Sequence, residues 1–445
     1  MNEYEYPLAT RYASEQMVSI FSEKHKVELW RVLWCALAEA EQKLGLPISD
    51  EQLDEMLSHV EDADLEEAHL IERETHHDVM AHIRHFGNQC PKAVPIIHLG
   101  ATSCFVTDNA DILMTRTAAY LIWNKLGRLI RRLEKLALEY KSVPTLAYTH
   151  FQPAQPTTVG KRAAMWTQDF MMDSSSMAFE LERLHMLGCK GATGTADSFL
   201  KLFDGDESKV RKLEHMIMCS VGAGDIGAIS ISGQTYTRKQ DFNMAQVLSG
   251  IAQSASKMAT DIRLLSGLRE MWEPFGKNQV GSSAMPYKKN PMLCERVCGL
   301  ARYVICAAQN TAITAATQWL ERTLDDSSNR RLVIPELFMA TDAILDTLVS
   351  VVDGLVIDKD EIKERLDREI CYMIMESILM EAVKKGGDRQ KLHEKLRKYS
   401  MAYSGAELLQ VIKQDEDFNE VPVDYSDLCG MAAQQVERFF NAEDR

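Results

Sequence analysis

Apolar residues recur at helical spacing over long stretches of this chain, and proline, which breaks such stretches, is kept out of them. Proline-free windows cover residues 96–143, 157–273, 292–334 and 336–421. In the first, Ile112, Ala119, Ile122, Leu126, Leu129 and Leu133 fall on one helical stripe. Residues 108–141 therefore predict one continuous helix, ~50 Å long at about 1.5 Å per residue. Val27, Trp30, Leu33, Leu37 and Ala38 predict an earlier amphipathic helix, and Ser49 with Gln52 a capping box that opens the next. Residues 157–187, 238–270, 292–318 and 329–353 carry the same pattern, whereas strand signals are sparse, the best being short pieces at 227–232. Long helices without intervening strands predict an all-α architecture around a helical bundle. Helices this long carry more apolar surface than one subunit covers, which predicts burial against copies of the same chain.

Composition narrows the class. The 445 residues are 46% apolar and 26% charged, as in an ordinary globular protein with ample material for a core. Fifty Lys and Arg against 65 Asp and Glu leave a net charge of −15, which argues against a nucleic-acid-binding role. The apolar stretch 337–357 is interrupted by Asp342, Asp346 and Asp353, so no membrane span is expected there. The N-terminal residues carry neither the basic nor the apolar segment of a secretory leader. Ten scattered cysteines without a CxxC pair predict reduced thiols and a cytoplasmic location, with Cys294 and Cys298 one turn apart on a packed helix face.

Between the helices lie loops dense in Gly, Ser, Thr, His and Pro, where chemistry is expected. The most specific runs Gly281-Ser282-Ser283-Ala284-Met285-Pro286-Tyr287-Lys288-Lys289-Asn290-Pro291, a flexible start followed by cations and a helix that Asn290 is expected to cap. Such a loop suits closure over an anion. His150, in Thr149-His150-Phe151-Gln152-Pro153, precedes a long helix and could exchange a proton with a leaving group near neutral pH. His76, His77, His82 and His85 crowd ten residues, but the HExxH spacing is absent and no clustered acid or cysteine completes a metal site, so polar substrate contacts are expected instead. His98 to Ser103 places two hydroxyls ahead of a helix, a cradle for a carboxylate. The segments 233–239 and 321–331 concentrate amides, serines and arginines, the latter being good phosphate ligands. Local cations in an acidic chain point to an anionic ligand.

Taken together, these segments resemble a known family. The GSSAMPYKKNP loop is similar to the signature of the fumarase/aspartase superfamily. The set THFQPAQPTTVGKR, HDVMAH, IHLGATSCFVTDN, KGATGT, SGQTYTRK and ERTLDDSSNRR resembles, within it, the adenylosuccinate lyases, most nearly the animal type. The resemblance runs from Arg11-Tyr12 to about residue 400. It implies a three-domain, all-α fold whose central bundle of long helices forms a homotetramer core, with each active site assembled from three subunits. On this chain the domains would be 1–102, 103–357 carrying the signature loop, and 358–445. The implied reaction is β-elimination of fumarate from adenylosuccinate, giving AMP, and from the succinylcarboxamide ribotide SAICAR, giving AICAR, in purine nucleotide biosynthesis.

The resemblance also implies roles. Ser282 would be the base that removes the Cβ proton. His150 would protonate the departing nitrogen, with His77 orienting it, although residue type leaves open which of the two is the acid. Asp78 would line the same site, with His76 where relatives often have arginine. Thr102, Ser103, Lys288 and Asn290 would hold carboxylates, and Gln234 and Arg296 would contact substrate. Arg11, Tyr12, Arg322, Ser327 and Arg331 would bind the nucleotide end, chiefly its phosphate. No metal or organic cofactor is expected, because the carboxylate beside the carbanion is itself the electron sink. A shorter C-terminus, with a segment missing near 404–425, and Met431 in place of an expected arginine are further departures. Argininosuccinate lyase, fumarase and aspartase chemistry are the alternatives within the superfamily, but their substrates give the arginines of 322–331 no phosphate to bind. A scaffold without activity would be expected to have lost Ser282, His150 or Lys288, and none is lost.

Overall fold

The computed structural model describes residues 4–419, 421 and 428–441. A π-helical turn, Leu8–Tyr12, comes first. The helices that follow are α1 (Glu15–Ile20), α2 (Glu23–Lys43), α3 (Asp50–Ser58), α4 (Leu65–Thr75), α5 (Asp78–Gln89) and α6 (Ser103–Glu139). Next come α7 (Val159–Arg183), α8 (Asp197–Leu202), α9 (Glu207–Ser220), α10 (Lys239–Gly267), α11 (Met292–Ala307) and α12 (Gln309–Ala316). The last are α13 (Asp325–Asp353), α14 (Lys359–Lys384), α15 (Arg389–Ala402), α16 (Gly405–Gln414) and α17 (Ala432–Phe440). Two antiparallel ribbons accompany them, β1 (Pro144–Thr149) with β2 (Gln152–Thr158) and β3 (Met271–Trp272) with β4 (Val356–Ile357).

The all-α expectation holds, and the elements form for the reasons the sequence offers. The six apolar residues of the stripe in α6 are all buried, each of the five Ile and Leu side chains contributing roughly 1.5–3 kcal/mol relative to exposure. The capping box opens α3 as expected, with Ser49 Oγ accepting from Gln52 N and Gln52 Oε1 accepting from Ser49 N. Two expectations are corrected. Residues 227–232 form no named strand, only a bridge between Met186 and Ala228. The longest strands are instead β1 and β2, which Pro144, Pro153 and Pro156 disguised. In a two-stranded ribbon every strand is an edge, so a proline can sit where no ladder N–H is needed. Residues 325–331 belong to the opening turns of α13, so the serine- and arginine-rich segment is half loop and half helix.

The chain forms two compact units. The first comprises Met1–Leu126, Met172–Ala255 and Gly299–Asp346. Its core joins Trp30, Leu33, Trp34 and Leu37 of α2, Phe86 of α5, Ile112 of α6 and Leu213 and Ile217 of α9. Asp342, which interrupts the apolar stretch of α13, is fully buried because Lys125 reaches it at 2.5 Å while also pairing with Asp346 at 2.6 Å. The second unit comprises Gly127–Met171, Ser256–Cys298 and Thr347–Arg445. There Ile374, Ile378 and Leu379 of α14 pack with Leu392 and Leu396 of α15 and Leu408 and Ile412 of α16. The β1–β2 hairpin rests on α14, with Gln155 Nε2 donating to Glu376 at 2.5 Å. Among the described residues no helix is long and apolar enough to cross a membrane.

Candidate active site

The first unit holds a cavity of about 1030 Å³. His76, His77, Asp78, Ser103, Gln234, Arg322, Ser327 and Arg331 all line it, drawn from four separate segments of the chain. The junction of α4 and α5 supplies the first three. His76 closes α4 in the left-handed conformation (φ 52°), and His77 caps α5, its Nδ1 accepting from Met80 N at 3.3 Å. With Nδ1 an acceptor, the neutral ring carries its proton on Nε2, which stands 3.4 Å from Ser103 Oγ at the start of α6. Burial pushes the Asp78 carboxyl up, but the Val79 N–H and the Arg331 guanidinium at 2.5 Å outweigh it and hold it below the usual range. Gln234 N donates to Glu321 O at 3.0 Å, an approach only glycine permits at position 233, where a Cβ would stand 2.5 Å from that carbonyl. This backbone bond brings the Gln234 segment against the one bearing Arg322.

Beneath these residues lies a buried ionic network. Arg238 bonds both oxygens of Asp108, at 2.9 and 3.2 Å, and Asp326 at 2.7 Å. Asp326 uses its other oxygen to accept from Arg322 at 2.9 Å. Arg330 bonds Asp241 at 2.7 Å and Asp111 at 3.0 Å, and Tyr236 donates to Asp241 at 2.6 Å. Burial alone would raise the Asp326 carboxyl, yet Arg238 and Arg322 hold it low, so it stays charged. Fixed guanidiniums opposite fixed carboxylates give a preorganised, charge-paired network beneath the cavity.

The second unit carries the remaining reactive candidates. His150 and Phe151 form the two-residue turn of the β1–β2 hairpin, both left-handed (φ 53° and 58°). That turn normally takes Asn and Gly. Two ordinary side chains there cost roughly 1–2 kcal/mol each, the kind of local strain that accompanies functional positions. Ser282 lies in the loop before α11, its Oγ accepting from Ala284 N at 3.3 Å and Met285 N at 3.1 Å. Two backbone donors facing one hydroxyl oxygen would favour its alkoxide. Gly281 lets the loop fold on itself, since a Cβ would stand 2.0 Å from Lys288 O. Lys289 rests over the Trp272 and Phe275 rings, at 5.5 and 6.0 Å, while Lys288 is exposed.

The expected cap of α11 is corrected. Asn290 donates its side-chain N–H to Gly281 O at 2.8 Å, closing the base of the loop, and the cap is the Glu273 carboxylate, which accepts from Leu293 N and Cys294 N at 2.9 Å each. A carboxylate can take both orphan amides at once, which one amide oxygen does less well.

Arg11 and Tyr12 sit on the π-helical turn and Thr102 just ahead of α6, all in the first unit but not among the side chains lining its cavity. Arg296 is on α11 in the second unit. Met431 is exposed at the start of α17, and part of 404–425 lies outside the described residues. Several cavity residues were not singled out from the sequence. Lys26 of α2 adds a cation, and nothing local distinguished it from other surface lysines. Arg238 and Asp326 lie inside segments noted for their charge, but only the fold reveals that Asp108 joins them. His98, left-handed at φ 66°, accepts from Trp34 Nε1 at 2.9 Å on its Nδ1. Burial and the neighbouring His77 push its ring down to about 4, so it is neutral.

Comparison with known proteins supplies the class. The solved structure of a fumarate lyase from Mesorhizobium sp. BNC1 is similar with a TM-score of 0.83 at 21% identity, covering 98% of this chain and 99% of that one. A 3-carboxy-cis,cis-muconate lactonizing enzyme from Pseudomonas putida gives 0.83 at 21% identity, covering 97% of each chain. Both are likenesses of fold. The family described as lyase matches residues 10–306. In sequence, the chain is 44% identical to the adenylosuccinate lyase of Saccharomyces cerevisiae over 98% of this chain and 94% of the relative. It is 44% identical to that of Schistosoma mansoni, over 99% and 95%, and 32% identical to that of Pyrococcus abyssi, over 93% and 90%. The chain belongs to the lyase family and, within it, to the adenylosuccinate lyases.

Proposed function

We propose that this protein eliminates fumarate from adenylosuccinate, leaving AMP, and from SAICAR, leaving AICAR. The observation that carries the reading is 44% identity, over nearly the full length, to fungal and animal adenylosuccinate lyases, with every side chain the chemistry requires present. Ser282, as its alkoxide, takes the Cβ proton of the succinyl group. The electron pair passes into the adjacent carboxylate as an aci-carboxylate, where Thr102, Ser103, Lys288 and Asn290 hold the developing charge. One such donor is typically worth about 3–4 kcal/mol. The pair then forms the carbon–carbon double bond as the carbon–nitrogen bond breaks, and the nitrogen takes a proton from His150 or His77. The Nε2 proton implied by the capping role of His77 leaves that ring equipped either to donate or to orient its partner. Arg322, Ser327 and Arg331 bind the phosphate with Arg11 and Tyr12, while His76, Asp78, Gln234 and Arg296 complete the substrate contacts.

The assembly we propose is a homotetramer whose sites are shared between subunits. Supporting it, Met165, Met172 and Phe179 recur every seven residues along α7 and are all exposed. The division at 102/103 and 357/358 is proposed as the domain organisation. A cytoplasmic location is in keeping with ten cysteines among which no disulfide forms in the described structure. Incubating the purified chain with adenylosuccinate and measuring fumarate tests the reading. Release is expected, and a folded protein that leaves the substrate intact would refute it.

A further inference from the structure

Two buried carboxylates of the second unit have no part in the chemistry assigned above, and they flank the two-residue strand β3. Glu270 precedes it and is 1% exposed; Glu273 follows it and is 3% exposed. On one side, Glu270 accepts from Tyr148 Oη at 2.5 Å and Thr145 Oγ1 at 3.4 Å, with Arg365 Nε at 3.3 Å balancing its charge. Tyr148 and Thr145 both belong to β1, and Tyr148 is two residues from His150. On the other side, Glu273 holds the first amides of α11, the helix on which the Ser282 loop ends. The segment between is itself pinned. Met271 and Trp272 pair with Ile357 and Val356, and Glu270 O accepts from Asp358 N at 3.0 Å.

We propose that residues 270–273 form a strut that positions both proton-transfer groups, Glu270 setting the hairpin that carries His150 and Glu273 setting the helix origin that anchors the Ser282 loop. The inference rests on the assignment of His150 as acid and Ser282 as base. A tight turn of two left-handed residues does not hold its own orientation, so the hairpin needs an outside brace, and three polar contacts on one buried carboxylate supply it. The loop is closed across its base by the Asn290–Gly281 bond, with Lys289 over the Trp272 and Phe275 rings, so its position follows from where β3 ends and α11 begins. Neither glutamate touches reacting atoms. Both are positioning residues, and the groups they hold keep their precision only through such support.

The test uses the full-length chain and adenylosuccinate carrying deuterium at the succinyl Cβ. Glu270→Gln and Glu273→Gln are each expected to lower kcat at least tenfold with KM within twofold of wild type. The isotope effect on kcat/KM should move in opposite directions. It rises in Glu273→Gln, where proton abstraction by a displaced Ser282 becomes limiting. It falls toward one in Glu270→Gln, where protonation of the leaving nitrogen becomes limiting. Tyr148→Phe, which removes one hydroxyl and keeps the carboxylate, should shift the isotope effect as Glu270→Gln does, but less. If Glu273→Gln does not fold, Glu273→Asp, its charge withdrawn by one methylene, carries the same expectation. Variants that melt earlier but keep the wild-type isotope effect, or that shift it in one common direction, would overturn the strut. A wild-type chain without turnover would instead overturn the function itself, and the strut's purpose with it.

Discussion

Replacing Asp326 by asparagine tests whether the buried network presets the part of the site proposed to hold the phosphate. Its side chain is fully buried between Arg238 Nε at 2.7 Å and Arg322 Nη1 at 2.9 Å. Arg238 keeps Asp108 in the variant, but Arg322 loses the carboxylate that orients it. Removing one member of a buried pair costs about 3–5 kcal/mol, and because asparagine keeps one acceptor oxygen the lower end is expected. For binding, a guanidinium that must be re-ordered forfeits much of a charge-assisted hydrogen bond, about 1.5–3 kcal/mol. At about 1.4 kcal/mol per decade this is a rise of roughly 10- to 150-fold in KM. Urea denaturation gives the first quantity and fumarate-release kinetics the second. In an Arg322→Ala background the KM effect of Asp326→Asn should vanish, since the two act as one unit. A loss of stability below about 1 kcal/mol with KM within twofold of wild type would show that the network does not preset Arg322, as would full additivity of the two substitutions.

Two further substitutions probe local features. Gly281→Ala places a methyl 2.0 Å from Lys288 O, so the signature loop must open; melting should be nearly unchanged while kcat falls by about two orders of magnitude, the scale of loss expected from misplacing a reacting group by about 1 Å. Glu41 is fully buried, neither of its side-chain oxygens has a hydrogen-bond partner among the described residues, and burial pushes its carboxyl up from 4.5 to about 8. The folded chain therefore keeps a proton that the unfolded chain releases, and stability falls as pH rises through that window, by up to roughly 1.4 kcal/mol per unit. Glu41→Gln removes the titration, so its stability relative to wild type should grow from pH 5 to pH 8; a pH-independent difference would show that Glu41 is already charged in the folded state.

What the sequence made legible was what period and punctuation encode. The stripe of α6 could be read because proline is absent and Leu and Ile recur on one face. The segments bearing His77, Ser103, Gln234 and Arg331 could be read because hydroxyls, imidazoles and arginines cluster locally, and the fold does bring those four into one cavity. Three kinds of information were out of reach. The hairpin under His150 was hidden because its prolines mimic a loop, and the groups it packs against, Glu270 and α14, lie more than a hundred residues away. Asp108 looks like any acid near a helix start until Arg238, 130 residues on, closes on it. Asn290 stands where a cap belongs, but the cap is Glu273, because a buried carboxylate can serve two amides at once. In each case a long-range polar partner decided the outcome, and such partners leave no periodic trace.

On the proposed function, the hydroxyl of Ser282 begins an elimination that yields fumarate. The most direct measurement compares the purified wild-type chain with Ser282→Ala on adenylosuccinate, following fumarate and AMP together. The expected result is equimolar release by wild type and a kcat lower by several orders of magnitude in the variant, whose fold and KM stay near wild type. A Ser282→Ala protein that turns over at a near-normal rate would contradict it.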